Sequence, residues 1–165
     1  MEKLWSPWRS QYIESFKDPK AKGGCVFCNA AKEDIADESS LVVAKGELTI
    51  TVLNLYPYNN GHVMVVPKRH LSSFDQLTKE ERAEIMEKLD ETIRALKICS
   101  RPEGFNVGAN LGQVSGAGIA DHIHFHIVPR WNGDTNFMPV LGEVKVLSQD
   151  LLATKKALLE AFSKM

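Results

Sequence analysis

At 165 residues the chain has the length of one ordinary domain with a real core. Twenty Lys and Arg against 21 Asp and Glu leave a formal net charge of −1, which excludes a polyanion-binding surface spread over the whole molecule. Any phosphate recognition must then be local, by backbone amides and imidazoles.

The first residues, Met1 to Trp8, lack the apolar core of a signal peptide, and no apolar run is long enough to cross a bilayer. Three cysteines, an odd number, argue against a secreted disulfide framework. A soluble cytoplasmic protein is expected, with neither nucleic acid nor membrane as a partner. Trp8 to Phe16 reads as a short helix with Tyr12, Ile13 and Phe16 on one side, and Lys20 to Gly24 as a polar connection. Residues 1–24 are therefore read as an N-terminal extension and 25–165 as a single globular domain.

Strands are expected over Leu41 to Ala44 and Leu48 to Leu53, joined by a tight Lys45-Gly46 turn. Tyr56 to Gly61 is dense in turn formers. A third strand, His62 to Val66, ends at Pro67, which cannot donate to a ladder. Thr78-Lys79-Glu80-Glu81 is a capping box that opens a long helix to about Cys99, with Ile85, Leu89, Ile93 and Leu96 as its apolar stripe. Phe105 to Asn110 reads as a fourth strand and His122 to Val128 as a fifth. A final helix runs from about Ser148 to Phe162. Strands in one block, with helices between and after them, indicate an α+β fold with a mainly antiparallel sheet of about five strands.

Three of the five histidines alternate with apolar residues in His122-Ile123-His124-Phe125-His126-Ile127-Val128. A strand has a period of two, so the imidazoles share one open face at spacings of about 6.6 Å while Ile123, Phe125 and Ile127 enter the core. Such a row is costly to bury without partners and reads as a site rather than as an amphipathic strand whose polar face is histidine. The preceding segment, Asn110 to Asp121, is rich in glycine, whose backbone amides can approach an anion closely. A plain flexible turn is the alternative, but its position would lay a held phosphate beside an imidazole.

Cys25-x-x-Cys28 is a half-site for zinc, and His70 and His122, each at a strand end, are the natural completing ligands. Redox chemistry, or two buried thiols acting as small hydrophobes, are the alternatives. Cys99 has no nearby partner and reads as structural. An exposed Trp131, beside a polar turn, can stack a base or cover a subunit surface.

Together these residues resemble the histidine triad (HIT) family of nucleotidyl hydrolases and transferases. The His-φ-His-φ-His-φ-φ signature is matched in full by His122 to Val128, and the block Asn54 to His70 agrees as well. The flanks Leu4 to Arg9 and Pro129 to Met138 look like a longer bacterial subgroup that contains diadenosine tetraphosphate phosphorylases. The resemblance implies a HIT-like fold and attack by His124 on the α-phosphorus of a nucleotide. The nucleotidyl-histidine so formed is then resolved by water or by inorganic phosphate as co-substrate.

By the same resemblance His126, Asn110 and the Gly118 amide contact the phosphate, Asn54 contacts the ribose hydroxyls, and His62 supports the cluster. In zinc-containing members Cys25, Cys28, His70 and His122 hold a structural ion, with no catalytic metal required. A homodimer built through the sheet is implied, with further pairing into a tetramer through the N-terminal segment or Trp131 left open. One departure stands out: Gly118-Ile119-Ala120-Asp121 has no hydroxyl to assist the leaving group. That favours polyphosphate anhydrides over phosphoramidates. The alternatives are a purine nucleoside phosphoramidase, a nucleotide-sensing module with little turnover, and a transition-metal chelate formed by the three triad histidines.

Overall fold

The computed structural model describes residues 24–135, 147 and 149–165. The expected helix over Trp8 to Phe16, the flank Leu4 to Arg9 and the Asn136 to Met138 end of the flank Pro129 to Met138 lie outside the described residues. In chain order the elements are α1 (Val26–Ala30), β1 (Val42–Lys45), β2 (Thr49–Leu53), β3 (Val63–Pro67), α2 (Lys79–Ser100), β4 (Gly104–Gly108), β5 (Phe125–Arg130) and α3 (Leu151–Phe162). The five strands form one antiparallel sheet in the order β1-β2-β3-β5-β4. The α+β expectation holds, and β5 sits inside the sheet, between β3 and β4.

Strand alternation sorts the side chains into two layers. Val43, Leu53, Val63, Val65, Ile123, Phe125 and Ile127 meet the apolar face of α2, through Ile85, Leu89 and Leu96, together with Leu158 and Ala161 of α3. The opposite face of the sheet carries Val42, Ile50, Val52, Met64 and Val66 against Phe27 and Ala30 of α1. Both faces are covered, so β2 and β3 are buried at every position.

Most strand ends lie within a residue or two of the sequence reading, and two larger shifts each have a local reason. β5 begins at Phe125 rather than His122. Upstream of it the chain is tied to Leu71 through the Ile123 amide at 2.7 Å, and the imidazoles of His122 and His124 bond to backbone carbonyls. α3 begins at Leu151, because the Asp150 carboxylate accepts from the amides of Leu152 and Ala153 and so caps the helix there. The Cys-x-x-Cys segment is a one-turn helix with Cys25 at its N-cap. The long helix is as expected, with Thr78 and Glu81 completing the capping box.

Two side-chain clamps position the site. The Glu84 carboxylate of α2 accepts from the amides of Leu48 and Thr49 and from the Thr49 hydroxyl, fixing the β1–β2 hairpin against the helix. Asn59 is buried, and its amide donates to the Pro129 carbonyl at 2.9 Å and to Asp134 at 2.8 Å. This bolts the turn before β3 to the end of β5. Gly61 within that turn has φ +71°, and a Cβ there would press on Leu96 and Pro129 at 3.2 and 3.3 Å, so any other residue would be strained.

Candidate functional site

His62, at the head of β3, and the segment entering β5 meet on the α1 face of the sheet. The sequence reading placed the triad on an open face; the structure corrects this, since His122, His124 and His126 are 0%, 5% and 8% exposed and His62 is 1% exposed. The covers are Phe27 and Tyr58. Phe27, between the two cysteines, stands with its ring centroid 5.5 Å from His122 and 4.9 Å from His124. The Tyr58 ring lies 4.6 Å from His62 and 5.7 Å from His126.

Backbone groups fix which nitrogen of each ring carries the proton, because an amide can only donate and a carbonyl can only accept. His124 donates from Nδ1 to the His122 carbonyl at 2.8 Å, which leaves Nε2 as its lone-pair nitrogen. His122 donates from Nε2 to the Pro67 carbonyl at 2.8 Å, leaving its Nδ1 lone pair free. The Tyr58 amide donates to His62 Nδ1 at 3.0 Å, so in the neutral ring the proton lies on Nε2. His62 Nε2 then donates to His126 Nδ1 at 2.9 Å, and His126 carries its own proton on Nε2. That Nε2 is buried and has no hydrogen-bond partner among the described residues.

Burial, with His126 and His124 alongside, pushes His62 down to about 3. Burial and then His124 push His126 down to about 4. Burial also lowers His124, opposed by its bond to the His122 carbonyl. The rings are therefore neutral at pH 7, with tautomers rather than charges deciding what each presents. His124 offers a lone pair and its neighbour His126 offers an N–H, with the two centroids 4.8 Å apart.

Beside these rings lies a second cluster. Cys25, Cys28, His70 and His122 bring one ligand atom each to within 4.8 Å of one another. Cys25 Sγ is 3.2 Å and Cys28 Sγ 3.7 Å from His122 Nδ1, and Cys28 Sγ is 3.4 Å from His70 Nδ1. A tetrahedral zinc with ordinary Zn–S and Zn–N bonds spaces its sulfur and nitrogen ligands about 3.6 Å apart, so the donor set fits one. The Pro67 carbonyl sets the His122 tautomer and leaves Nδ1 toward the sulfurs, as a ligating imidazole needs. Burial, and then Cys25 beside it, push the Cys28 thiol up. A bound dication would reverse that bias.

The remaining candidates are more dispersed. Asn54 accepts the Tyr56 amide at 3.0 Å through Oδ1, and its Nδ2 lies 3.3 Å from His62 Nδ1. Asn110 is half-buried and Gly118 exposed, both on the β4–β5 loop that leads into the triad. The Ser115 hydroxyl of that loop bonds to the carbonyls of Leu111 and Gly112. Trp131 lines a cavity of about 530 Å³ with Gly61, Leu96, Cys99 and Ala157, and none of the five histidines borders it. Sequence reasoning missed Phe27 and Tyr58. Phe27's only signal was its place inside the Cys-x-x-Cys spacing.

A family model described as the HIT domain matches residues 36–133, a span that holds all five histidines. The chain belongs to the HIT domain family. Cys25 and Cys28 lie outside the match. AP-4-A phosphorylase of Mycobacterium tuberculosis is 44% identical over 161 residues, 96% of this chain and 83% of that protein. An adenosine 5'-monophosphoramidase of Schizosaccharomyces pombe is 32% identical over 66% of this chain and 75% of its own length. A zinc-bound histidine triad family protein of Mycobacterium smegmatis has the same fold, with a TM-score of 0.67 at 24% identity over 85% of this chain and 94% of that one. The fold expected from the sequence is thereby shown, and no helix among the described residues is long and apolar enough to cross a membrane.

A pH dependence follows from the buried rings. His62 and His126 resist protonation in the folded chain, whereas unfolded histidines take up protons below about pH 6.5. The unfolded state then binds more protons, so the stability these rings contribute is complete above about pH 6.5 and falls as pH drops toward 4. The urea midpoint should decline between about pH 7 and pH 5 while ring NMR finds both histidines still neutral. A ring titrating near 6.5 at either position would contradict the burial described.

Proposed function

We propose that this chain is a nucleotidyltransferase or hydrolase that cleaves dinucleoside polyphosphates, diadenosine tetraphosphate among them, through a nucleotidyl-histidine at His124. The observation that carries the reading is the buried His126 Nε2–H beside His124, which has no acceptor among the described residues. A phosphate oxygen is the acceptor such a donor suits. The 44% identity to a protein named AP-4-A phosphorylase supports the same substrate class.

In this reading His124 Nε2 attacks the α-phosphorus and the bond to the departing nucleoside polyphosphate breaks. A covalent intermediate divides one difficult displacement into two easier ones. With diadenosine tetraphosphate the first step releases ATP and leaves an adenylyl group on His124. Inorganic phosphate then takes that group to give ADP, or water takes it to give AMP. His126, with Asn110 and the Gly118 amide, holds the phosphate oxygens as charge develops. His62 acts behind His126, and Asn54 faces the ribose. Trp131 borders a cavity apart from the histidines, a position suited to covering a subunit surface rather than stacking the base.

A nucleoside phosphoramidase is the second reading, favoured by the relative in Schizosaccharomyces pombe at 32% identity. Purified protein is incubated with diadenosine tetraphosphate with and without inorganic phosphate. ADP plus ATP only when phosphate is present means phosphorolysis, and AMP plus ATP without it means hydrolysis. No cleavage, with an adenosine phosphoramidate turned over instead, would transfer the assignment. His124→Ala should lower kcat by at least about a thousandfold while the chain stays folded, its melting temperature reduced by the buried ring and the hydrogen bond that are lost; a near-normal rate would remove His124 as nucleophile.

Zinc is proposed as the resident of the Cys25, Cys28, His70 and His122 cluster. It would brace the entry to β5 and supply no chemistry to the reacting phosphorus. Elemental analysis should find about one zinc per chain, retained in His124→Ala and lost in Cys25→Ala. Metal lost with His124 instead would favour chelation by the triad.

We also propose a homodimer joined through β4, within one domain spanning residues 25–165. β4 is an edge whose Asn106, Val107 and Gly108 are exposed and which contains no lysine or proline, whereas the opposite edge, β1, is bulged and ends in Lys45. Sedimentation equilibrium should give twice the chain mass, reduced to one chain by Val107→Lys. Three free thiols suit a cytoplasmic protein.

A further inference from the structure

We propose that Asn54 is a positioning residue for this reaction: together with the Tyr58 amide it holds His62 in its Nε2–H form, and His62 thereby makes His126 present an N–H to the phosphate. The inference rests on the nucleotidyl-transfer reading and gives Asn54 a role beyond ribose contact. Four links carry it. The Tyr56 amide can only donate, so the Asn54 atom it meets at 3.0 Å is the carbonyl oxygen. This settles the orientation of the side-chain amide and turns its NH₂ toward His62 Nδ1, 3.3 Å away. Two donors, that NH₂ and the Tyr58 amide, then converge on one ring nitrogen and exclude a proton from it. The proton is left on Nε2, which donates to His126 Nδ1 at 2.9 Å and confines the His126 proton to its own Nε2.

The relay matters because the rings are neutral. His62 and His126 are both buried and both depressed, so each carries one proton and has one lone pair. In the opposite tautomer His126 would turn a lone pair toward a phosphate oxygen, a repulsive contact. The titratable groups that face His62 are His126 and His124 from the triad segment and the Tyr58 phenol from its own turn. None of these supplies a negative charge that would pull a proton onto Nδ1. An amide at position 54 preserves that condition, whereas a carboxylate would present oxygen to the Nδ1 lone pair and draw a proton onto it.

The test compares Asn54→Asp and Asn54→Ala with the unaltered protein, on diadenosine tetraphosphate and on an analogue lacking the ribose 2′- and 3′-hydroxyls. In the ligand-free, unaltered protein ¹⁵N NMR should find Nδ1 unprotonated and Nε2 protonated in both His62 and His126. Asn54→Asp should shift His62 Nδ1 toward the protonated range, raise the pH at which that ring titrates, and lower kcat by about tenfold. Asn54→Ala keeps the Tyr58 donor and should lower kcat by less, about threefold. Both losses should persist on the hydroxyl-free analogue.

Were Asn54 only a ribose contact, the aspartate variant would match or exceed the unaltered protein. The effects would then lie in KM and vanish on the analogue. Either that pattern, or a protonated His62 Nδ1 in the unaltered protein, overturns the inference even if a variant fails to fold. If the unaltered protein has the assigned tautomers but cleaves no dinucleotide, the nucleotidyl-transfer reading fails instead. The His62 nitrogen in Asn54→Asp then decides the inference on its own.

Discussion

His122 is bonded in three directions, and the site depends on all three. Its ring Nδ1 faces the sulfurs of Cys25 and Cys28, its Nε2–H is held by the Pro67 carbonyl at the end of β3, and its own carbonyl receives Nδ1–H of His124. One residue therefore ties the thiol pair to the sheet and the sheet to the ring that would attack phosphorus. The Pro67 carbonyl is available for this because β3 ends there, and the Cys-x-x-Cys helix is close because Phe27 and Ala30 pack into the layer on the sheet's other face. A zinc ion in this arrangement would stiffen the chain immediately before the nucleophile without touching substrate.

The same burial that orders the rings also sets their chemistry. An imidazolium inside this layer would lack a counter-ion, because among the described residues His62, His124 and His126 pair with no carboxylate and meet one another, Phe27, Tyr58, the Asn54 amide and backbone groups. Desolvation therefore keeps the rings neutral, and a neutral imidazole is the nucleophilic form. Oriented N–H groups in a dry pocket recognise phosphate strongly, since they need little reorganisation when charge develops. Under the reading proposed for this chain, anion recognition needs no basic surface, because the His126 N–H is fixed and buried.

How much of this was legible in the sequence follows from which interactions are periodic. The alternation through His122 to Val128 correctly separated Ile123, Phe125 and Ile127, which enter the core, from the imidazoles on the other side. The stripe Ile85, Leu89, Ile93 and Leu96 gave the long helix, and Thr78 its start. Cys25, Cys28, His70 and His122 could be grouped because ligand chemistry is specific to residue type. The covering of the triad was not readable, since Phe27 reaches it from a helix distant in sequence that packs on the same face of the sheet and Tyr58 from a turn whose composition signals only irregular backbone. Nor did any local pattern place β5 between β3 and β4; that order comes from long-range pairing such as Met64 with His126. The tautomers depend on individual amides and carbonyls, which every residue possesses and no sequence distinguishes.

The chemistry of the leaving group follows from what the loop before the triad lacks. Gly118 to Asp121 carries no hydroxyl, and the proton of the Ser115 hydroxyl, farther back, is directed to the Leu111 and Gly112 carbonyls at 2.8 and 2.7 Å. His62 and His126, both strongly depressed, are poor reservoirs of a proton at pH 7. A departing amine must be protonated before its bond to phosphorus breaks at a useful rate, whereas a nucleoside polyphosphate departs as a stable anion. Under the reading proposed for this chain, a site that offers a fixed N–H donor but few mobile protons discriminates between these two leaving groups. It does so in favour of the anhydride.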